Sequence, residues 1–104
     1  MADLRRDRPP SLGELRSRRD AILEIAQRHG VVDIRVFGSV ARGDADYDSD
    51  VDLLVELEPG RSLFDLGGLL MDLRDFFGDP VDVLMPAALQ EQVRGTVMRE
   101  AVPL

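Results

Sequence analysis

Two hydrophobic periods alternate along this chain, and that alternation limits the folds open to it. Residues 15–26 and 63–77 carry apolar side chains at helical spacing. The segments 31–37, 51–57 and 81–85 are short and valine-rich, which is typical of strands. Helices alternating with strands favour an α/β or α+β fold, in which helices pack against a β-sheet. The 104 residues are enough for one such domain with one hydrophobic core.

Local signals predict where the elements begin and end. Ser11 caps a first helix that ends at Gly30, and Ser62 caps a later helix that ends at Gly78. Pro86 is well placed to begin a last helix. In the first strand we expect Val32, Ile34 and Val36 on one face. The predicted order is a helix (11–29), a strand (31–37), a helical turn (40–42), a strand (50–57), a helix (63–77), a strand (81–85) and a final helix.

The charge of the chain is unevenly distributed. Residues 1–10 contain three arginines and two prolines and are predicted to form a mobile basic arm, ahead of a single domain at 11–104. Residues 44–82 contain twelve carboxylates and only two arginines. This acidic region suits divalent cations or a basic partner protein, and it disfavours direct binding to a nucleic-acid backbone.

Several classes of protein are excluded by what the sequence lacks. All 13 basic residues are arginine, so a Walker-type phosphate loop, which requires lysine, is excluded. Without cysteine there is no disulfide framework and no thiolate metal site. No apolar run approaches the roughly 20 residues that span a bilayer, and the N-terminal residues do not read as a secretory leader. We therefore expect a cytoplasmic protein that does not bind membranes.

One group of residues predicts chemistry. Asp50 and Asp52 are two residues apart in a strand, so both carboxylates lie on one face and can bind Mg²⁺. Asp82 lies between valines in a strand expected to be buried, where an unpartnered carboxylate is costly and calls for a ligand. Gly38 follows a strand and lets a phosphate approach the backbone, while the Ser39 hydroxyl can donate to it. Together these residues predict a site for a metal-bound triphosphate.

Each of these features also has an ordinary explanation. A Gly-Ser pair after a strand is most often a turn, and Asp-Val-Asp is most often the exposed face of a strand. The combination is much more specific than any part. His29, at a helix end, is better explained as a cation that complements the helix dipole than as a catalytic group. Tyr47 lies in a loop near the site and is only a weak candidate for self-modification.

The segments Phe37–Gly43 and Ser49–Val55 closely resemble the signature of the minimal nucleotidyltransferases, members of the DNA polymerase β nucleotidyltransferase superfamily. Val81-Asp82-Val83 matches the position of that family's third carboxylate, and residues 98–102 resemble the close of its last helix. The resemblance covers roughly residues 20 to 103. It implies a twisted, mixed sheet flanked by helices, dependence on Mg²⁺, with two ions bound, and transfer of a nucleoside monophosphate from a triphosphate such as ATP.

The resemblance also suggests a role for each site residue. Asp50 and Asp52 would bind both Mg²⁺ ions, and Asp82 would bind the catalytic ion and act as the base for the acceptor hydroxyl. The phosphate side of the site would use three further residues. Gly38 and Ser39 would contact the β and γ phosphates, and Arg42 would neutralise charge as pyrophosphate leaves.

Members this short resemble the antitoxin of a bacterial toxin–antitoxin pair. The implied partner is a HEPN-type toxin, an RNase silenced by transfer of AMP to a tyrosine. The chain is too short to carry a separate acceptor domain, so a hetero-oligomer or homo-oligomer is expected. Two alternatives remain open: an antitoxin that neutralises its toxin by contact alone, and a nucleotidyltransferase that acts on RNA ends or a small molecule.

Overall fold

A computed structural model describes residues 9–78 and 80–104. The strands are β1 (Val31–Phe37), β2 (Val51–Leu57), β3 (Val81–Leu84) and β4 (Val102–Pro103). The helices are α1 (Leu12–Ser17), α2 (Arg19–Arg28), α3 (Gly38–Arg42), α4 (Leu63–Phe77) and α5 (Glu91–Glu100). The strands form one sheet in the order β3-β2-β1-β4. β2 is parallel to β3, whereas β1 is antiparallel to both β2 and β4. The predicted mixed sheet with flanking helices is confirmed.

The core lies between one face of this sheet and the helices α2 and α4. Alternation along β2 turns Val51, Leu53 and Val55 toward these helices, and all three are buried. The helices contribute Ile22 from α2 and Leu69 and Leu73 from α4 to the same apolar cluster. Asp52 alternates with these residues and therefore belongs to the opposite face of the sheet.

The unit formed by β2, α4 and β3 places two carboxyl-bearing strands side by side. Ser62 and Asp65 form the predicted capping box: the Ser62 amide donates to the Asp65 carboxylate at 2.9 Å. The helix ends at Gly78, whose φ of +68° lies in the left-handed region. The chain then returns in β3, parallel to β2, as a crossover connection allows.

Two predicted helices differ from the structure, and one strand was not predicted. The first helix is broken at Arg18, whose φ of −110° and ψ of 17° are not helical, so α1 and α2 are separate. Pro86 begins only a 3-10 turn (Pro86–Ala88); Leu89 and Gln90 are then extended, and α5 begins after them. The two residues of β4 were not predicted, because a strand this short carries no recognisable period of its own.

Two residues of the predicted apolar patterns are exposed. Val32 is 63% exposed, because the register shift between Val31 and Asp33 places it in a β-bulge. Leu63 is 72% exposed in the first turn of α4, and Leu69 occupies the core in its place. Of the predicted basic arm, residues 1–8 lie outside the described residues. Within the described ranges, no helix is both long and apolar enough to cross a membrane.

Candidate active site

Three carboxylates meet at neighbouring positions of β2 and β3. The parallel register pairs Asp52 with Asp82, so their Cα atoms lie side by side on adjacent strands. Asp50 precedes Asp52 by two residues and shares its side of the chain as β2 begins. The structure thus brings together the three acidic residues that the sequence singled out.

The pKa of Asp52 reflects its burial and the proximity of these acids. Its side chain is half-buried beside two other acids, and the pKa of Asp52 is raised to about 6. Burial is the largest cause, followed by the negative charges of Asp82 and Asp50, while the positive charge of Arg42 opposes the shift. Like charges this close favour protonation of one member, or a bound cation that removes their repulsion.

Asp82 is exposed, which corrects the expectation that its strand buries it. β3 is an edge strand, and its side chains alternate: Val81 and Val83 are buried in the core, while Asp82 faces away from it. Burial is therefore not the reason for a carboxylate at this position. The Asp82 carboxylate is instead open to a molecule arriving from solvent.

Gly38 contacts the carboxylate directly. Its φ is +73°, a conformation that L side chains rarely adopt. A Cβ atom at this position would overlap Asp52 Oδ2 and would lie 3.3 Å from Asp52 Cγ. Glycine is therefore required both by the backbone and by the room that the Asp52 side chain needs.

Ser39 lies in the first turn of α3, next to Gly38. Its carbonyl accepts hydrogen bonds from the Gly43 and Asp44 amides, both at 3.0 Å, which closes the short helix. Its hydroxyl donates no hydrogen bond to another side chain in the described part of the protein. The hydroxyl and the first amides of α3 can therefore donate to a ligand.

Arg42 is oriented by two acids whose function the sequence did not reveal. Its Nε donates to Asp44 Oδ2 at 3.3 Å, and its Nη1 lies 3.5 Å from Glu100 Oε1. Asp44 lies just beyond the left-handed Gly43, and Glu100 ends α5. The ion pair between Arg42 and Asp44, on either side of Gly43, could have been predicted from the sequence. The contact of Arg42 with Glu100 depends on the tertiary fold.

The donor atoms of this site suit Mg²⁺, which prefers oxygen ligands. Among residues 9–78 and 80–104, no three His, Cys, Asp or Glu side chains are arranged so that they alone could hold a metal ion. Protein-bound Mg²⁺ that serves a nucleotide is usually held by one or two carboxylates, with substrate phosphates and water completing its shell. An open arrangement of carboxylates beside a phosphate-compatible turn fits that pattern.

Comparison with known proteins agrees with this geometry. Protein adenylyltransferase MntA of Thermococcus cleftensis is 43% identical over 79 residues, which are 76% of this chain and 80% of that protein. A solved structure of a candidate minimal nucleotidyltransferase is 48% identical, with a TM-score of 0.79 over 91% of this chain and 97% of that one.

A toxin–antitoxin crystal structure containing AMP-PNP shares the fold alone, at 17% identity, with a TM-score of 0.68 over 81% of this chain and 69% of that one. The family model described as a nucleotidyltransferase domain matches residues 18–103, a range that includes all the acidic site residues. The chain belongs to the nucleotidyltransferase domain family and is a nucleotidyltransferase.

Proposed function

We propose that this protein transfers AMP from ATP to a hydroxyl group of a partner toxin and thereby acts as its antitoxin. The observation that carries the proposal is the group of three acidic residues around the start of β2 and in β3, where burial, together with the negative charges of Asp82 and Asp50, raises the pKa of Asp52 to about 6. The relative named as a protein adenylyltransferase supports a protein acceptor and AMP as the transferred group. The fold shared with a toxin–antitoxin structure supports a toxin as the partner.

The proposed roles follow from where the side chains lie. Asp50, Asp52 and Asp82 would hold Mg²⁺ together with the triphosphate, and the ion would neutralise charge on the triphosphate and lower the pKa of the acceptor hydroxyl. Asp52 lies on β2, against Gly38, and so faces the nucleotide. Asp82 lies on the edge strand, is open to solvent and faces the acceptor.

The transfer is an in-line displacement at the α phosphorus. The acceptor oxygen forms a bond to that phosphorus, and the bond to the pyrophosphate oxygen breaks. The proton of the hydroxyl passes to the Asp82 carboxylate, which acts as general base. The Gly38–Ser39 turn binds the β and γ phosphates, and Arg42, oriented by Asp44, neutralises charge on the departing pyrophosphate.

We further infer that the acceptor is a tyrosine of a HEPN-type toxin. The support is the sequence resemblance to short antitoxins of that type. A phenol is a suitable acceptor, because its pKa of about 10 is well below that of an alkyl hydroxyl.

The experiment that tests the proposal uses ATP labelled at either the α or the γ phosphate. The full chain is incubated with Mg²⁺ and the protein co-expressed with it, and the products are separated into protein, nucleic acid and small molecules. Label from the α position alone, found on the partner protein, supports AMP transfer. Label from the γ position alone identifies a kinase and overturns it.

Two other outcomes identify the alternatives. The absence of label from either position, together with tight binding of the two proteins, means neutralisation by contact. Label from the α position on RNA or on a small molecule means a nucleotidyltransferase with a different acceptor. A control reaction with Glu24→Gln, which removes an exposed carboxylate of α2, retains full transfer.

A further inference from the structure

Helix α4 presents an apolar surface to solvent, outside the candidate active site. Phe64 is 92% exposed and Met71 is 69% exposed. These residues are seven apart, so they lie on the same side of the helix, with Gly67 between them. We call these three residues the α4 surface. A fully exposed phenylalanine beside another large apolar side chain is a feature of protein-binding surfaces.

Among residues 9–78 and 80–104, nothing packs against Gly67 closely enough to require a glycine there. Glycine inside a helix is less favourable than alanine, and a Cβ at Gly67 would meet nothing within 4 Å. The adjacent Gly68 differs, because a Cβ there would lie 2.9 Å from His29 Cε1. The backbone at Gly67 is therefore uncovered between Phe64 and Met71, and a glycine on an exposed helix side lets a second helix approach closely.

The charges around the α4 surface select the kind of partner. Asp75 is exposed on α4, and Asp72, which is 45% exposed, is paired with His29 at 2.7 Å. Glu58 lies in the turn that precedes α4. The nearby Arg61 is already paired with Glu58 and Asp65, at 2.8 and 3.1 Å. Arg74, also exposed on α4, donates to the Val81 carbonyl at 3.4 Å. Residues 58–75 thus carry four carboxylates against two arginines, so the surroundings are acidic. A second copy of this chain would bring like charges together, whereas a basic partner would be attracted.

The α4 surface also lies on the far side of the sheet from the carboxylates. Leu69 and Leu73 attach α4 to the face formed by Leu53 and Val55, while Asp52 belongs to the other face. A partner bound to α4 therefore leaves the candidate active site open.

We propose that the α4 surface binds an amphipathic helix of another protein, whose apolar stripe is flanked by lysine or arginine. Phe64 and Met71 pack on either side of the stripe, and the incoming helix lies over Gly67. The basic flanks face Asp72 and Asp75. The proposal concerns a docking surface and does not depend on the identity of the acceptor.

Two synthetic helical peptides test the proposal. Both have about 18 residues, or five turns, and the same leucine stripe, flanked by lysine in one and by glutamate in the other. Backbone amide shifts of the full chain are followed by NMR during titration. We expect the lysine peptide to bind at least about tenfold more tightly than the glutamate peptide, with shifts concentrated in residues 63–75. Equal affinities, or shifts centred elsewhere, overturn the proposal.

Variants of the α4 surface separate docking from folding. Phe64→Ser is expected to weaken binding of the lysine peptide by about tenfold or more, which is the usual effect of removing an aromatic side chain that anchors an interface. Gly67→Leu is expected to abolish binding while leaving the melting temperature unchanged or higher, since the space above Gly67 is open. Val93→Ser, at another exposed apolar residue on α5, is the matched control and retains wild-type affinity.

Sedimentation equilibrium and vesicle binding test two other occupants of the α4 surface, a second copy of this chain and a membrane. Self-association of the wild-type chain that Phe64→Ser abolishes assigns the α4 surface to a second copy and overturns the proposal. Binding to anionic lipid vesicles through Phe64 assigns it to a membrane and also overturns it. A monomer that ignores vesicles and binds the lysine peptide through Phe64 supports the proposal.

Discussion

At the scale of single residues, Gly38 is needed both for the backbone conformation of the site and for the placement of its carboxylate. Its backbone is in the left-handed region, and its missing side chain leaves the space that Asp52 occupies. The position therefore resists substitution for two separate reasons. One is general to any left-handed residue, and the other is specific to the carboxylate.

A pair of glycine substitutions separates these two reasons. Gly38→Ala is expected to cost about 1–2 kcal/mol of stability from backbone strain, and also to displace Asp52 and abolish most ATP binding and transfer. Gly60→Ala shares the strain, because φ is +92°, but its Cβ meets nothing within 4 Å. It should lose stability and keep activity. Chemical denaturation and ATP titration measure the two effects; equal ATP affinity in both variants contradicts the contact with Asp52.

Asp52 makes the stability of the metal-free protein depend on pH. Its pKa is raised from the unfolded value to about 6, so the folded state binds a proton more readily than the unfolded state. The folded state therefore becomes less stable as the pH rises from about 4 to about 6, and this loss persists above pH 6.

Asp52→Asn removes this pH dependence. With a chelator present, we expect the variant to be more stable than the wild type at pH 8, by on the order of 1 kcal/mol after allowance for the solvent that reaches this half-exposed group. At pH 4 the two proteins should be nearly equal. Urea denaturation at several pH values measures the difference. A difference that does not change with pH means that Asp52 is not perturbed by its neighbours.

At the scale of elements, the two adjacent glycines of α4 have different surroundings. The His29 ring lies over Gly68, and its Nε2 is 2.7 Å from Asp72 Oδ2, which links α2 to α4. Gly67 faces open space. The same substitution at these two positions should therefore give different results.

Gly67→Ala is expected to stabilise the protein by about 1 kcal/mol, the difference in helix propensity between the two residues. Gly68→Ala gains the same propensity but forces the His29 ring away from Asp72, so its net effect should be neutral or destabilising. Thermal or urea denaturation of the two variants measures the difference. An equal gain in both would contradict the packing of His29 against α4.

Much of the fold could be predicted because its signals are local. The capping box at Ser62, the left-handed Gly78 and the alternation in β2 each follow from a few neighbouring residues. The elements that were missed depend on distant contacts. β4 exists because Val102 pairs with Val36 of β1, and no local pattern predicts such a pairing.

The candidate site likewise has some features that local sequence predicts and others that depend on distant contacts. That Asp50 and Asp52 share a face follows from the period of a strand, and so could be predicted. The exposure of Asp82 depends on β3 being the edge strand, and strand order is not encoded locally. The raised pKa of Asp52 depends on its register with Asp82, and the orientation of Arg42 depends on Glu100 arriving from α5.

At the scale of the whole molecule, the sheet separates a core side from a carboxylate side. The apolar cluster with α2 and α4 stabilises the fold, while acids that repel one another gather on the opposite face. A cation bound there should stabilise the entire domain, because it binds the folded state and not the unfolded chain.

We expect Mg²⁺ to raise the melting temperature. At a concentration 100 times the Kd, the linkage is worth about 2.7 kcal/mol, which corresponds to roughly 10 °C or more for a domain of this size. Asp52→Asn should lose most of this shift, whereas the Glu24→Gln control should keep it. Calorimetry across a range of Mg²⁺ concentrations gives the shift directly. A wild-type melting temperature that does not respond to Mg²⁺ argues against a metal site at the three carboxylates.

The central claim is that carboxylates on two strands divide the work of nucleotidyl transfer, with Asp52 holding the nucleotide and Asp82 activating the acceptor. The most direct test is the rate at which Asp82→Asn transfers α-labelled AMP to the partner protein, measured beside the wild type at saturating ATP. Asparagine nearly preserves the shape of this exposed side chain, so the fold and most of the ATP affinity should remain. We expect Asp82→Asn to lose about 10²-fold or more in the transfer rate, the scale of general-base catalysis. Transfer by Asp82→Asn at the wild-type rate would contradict the account.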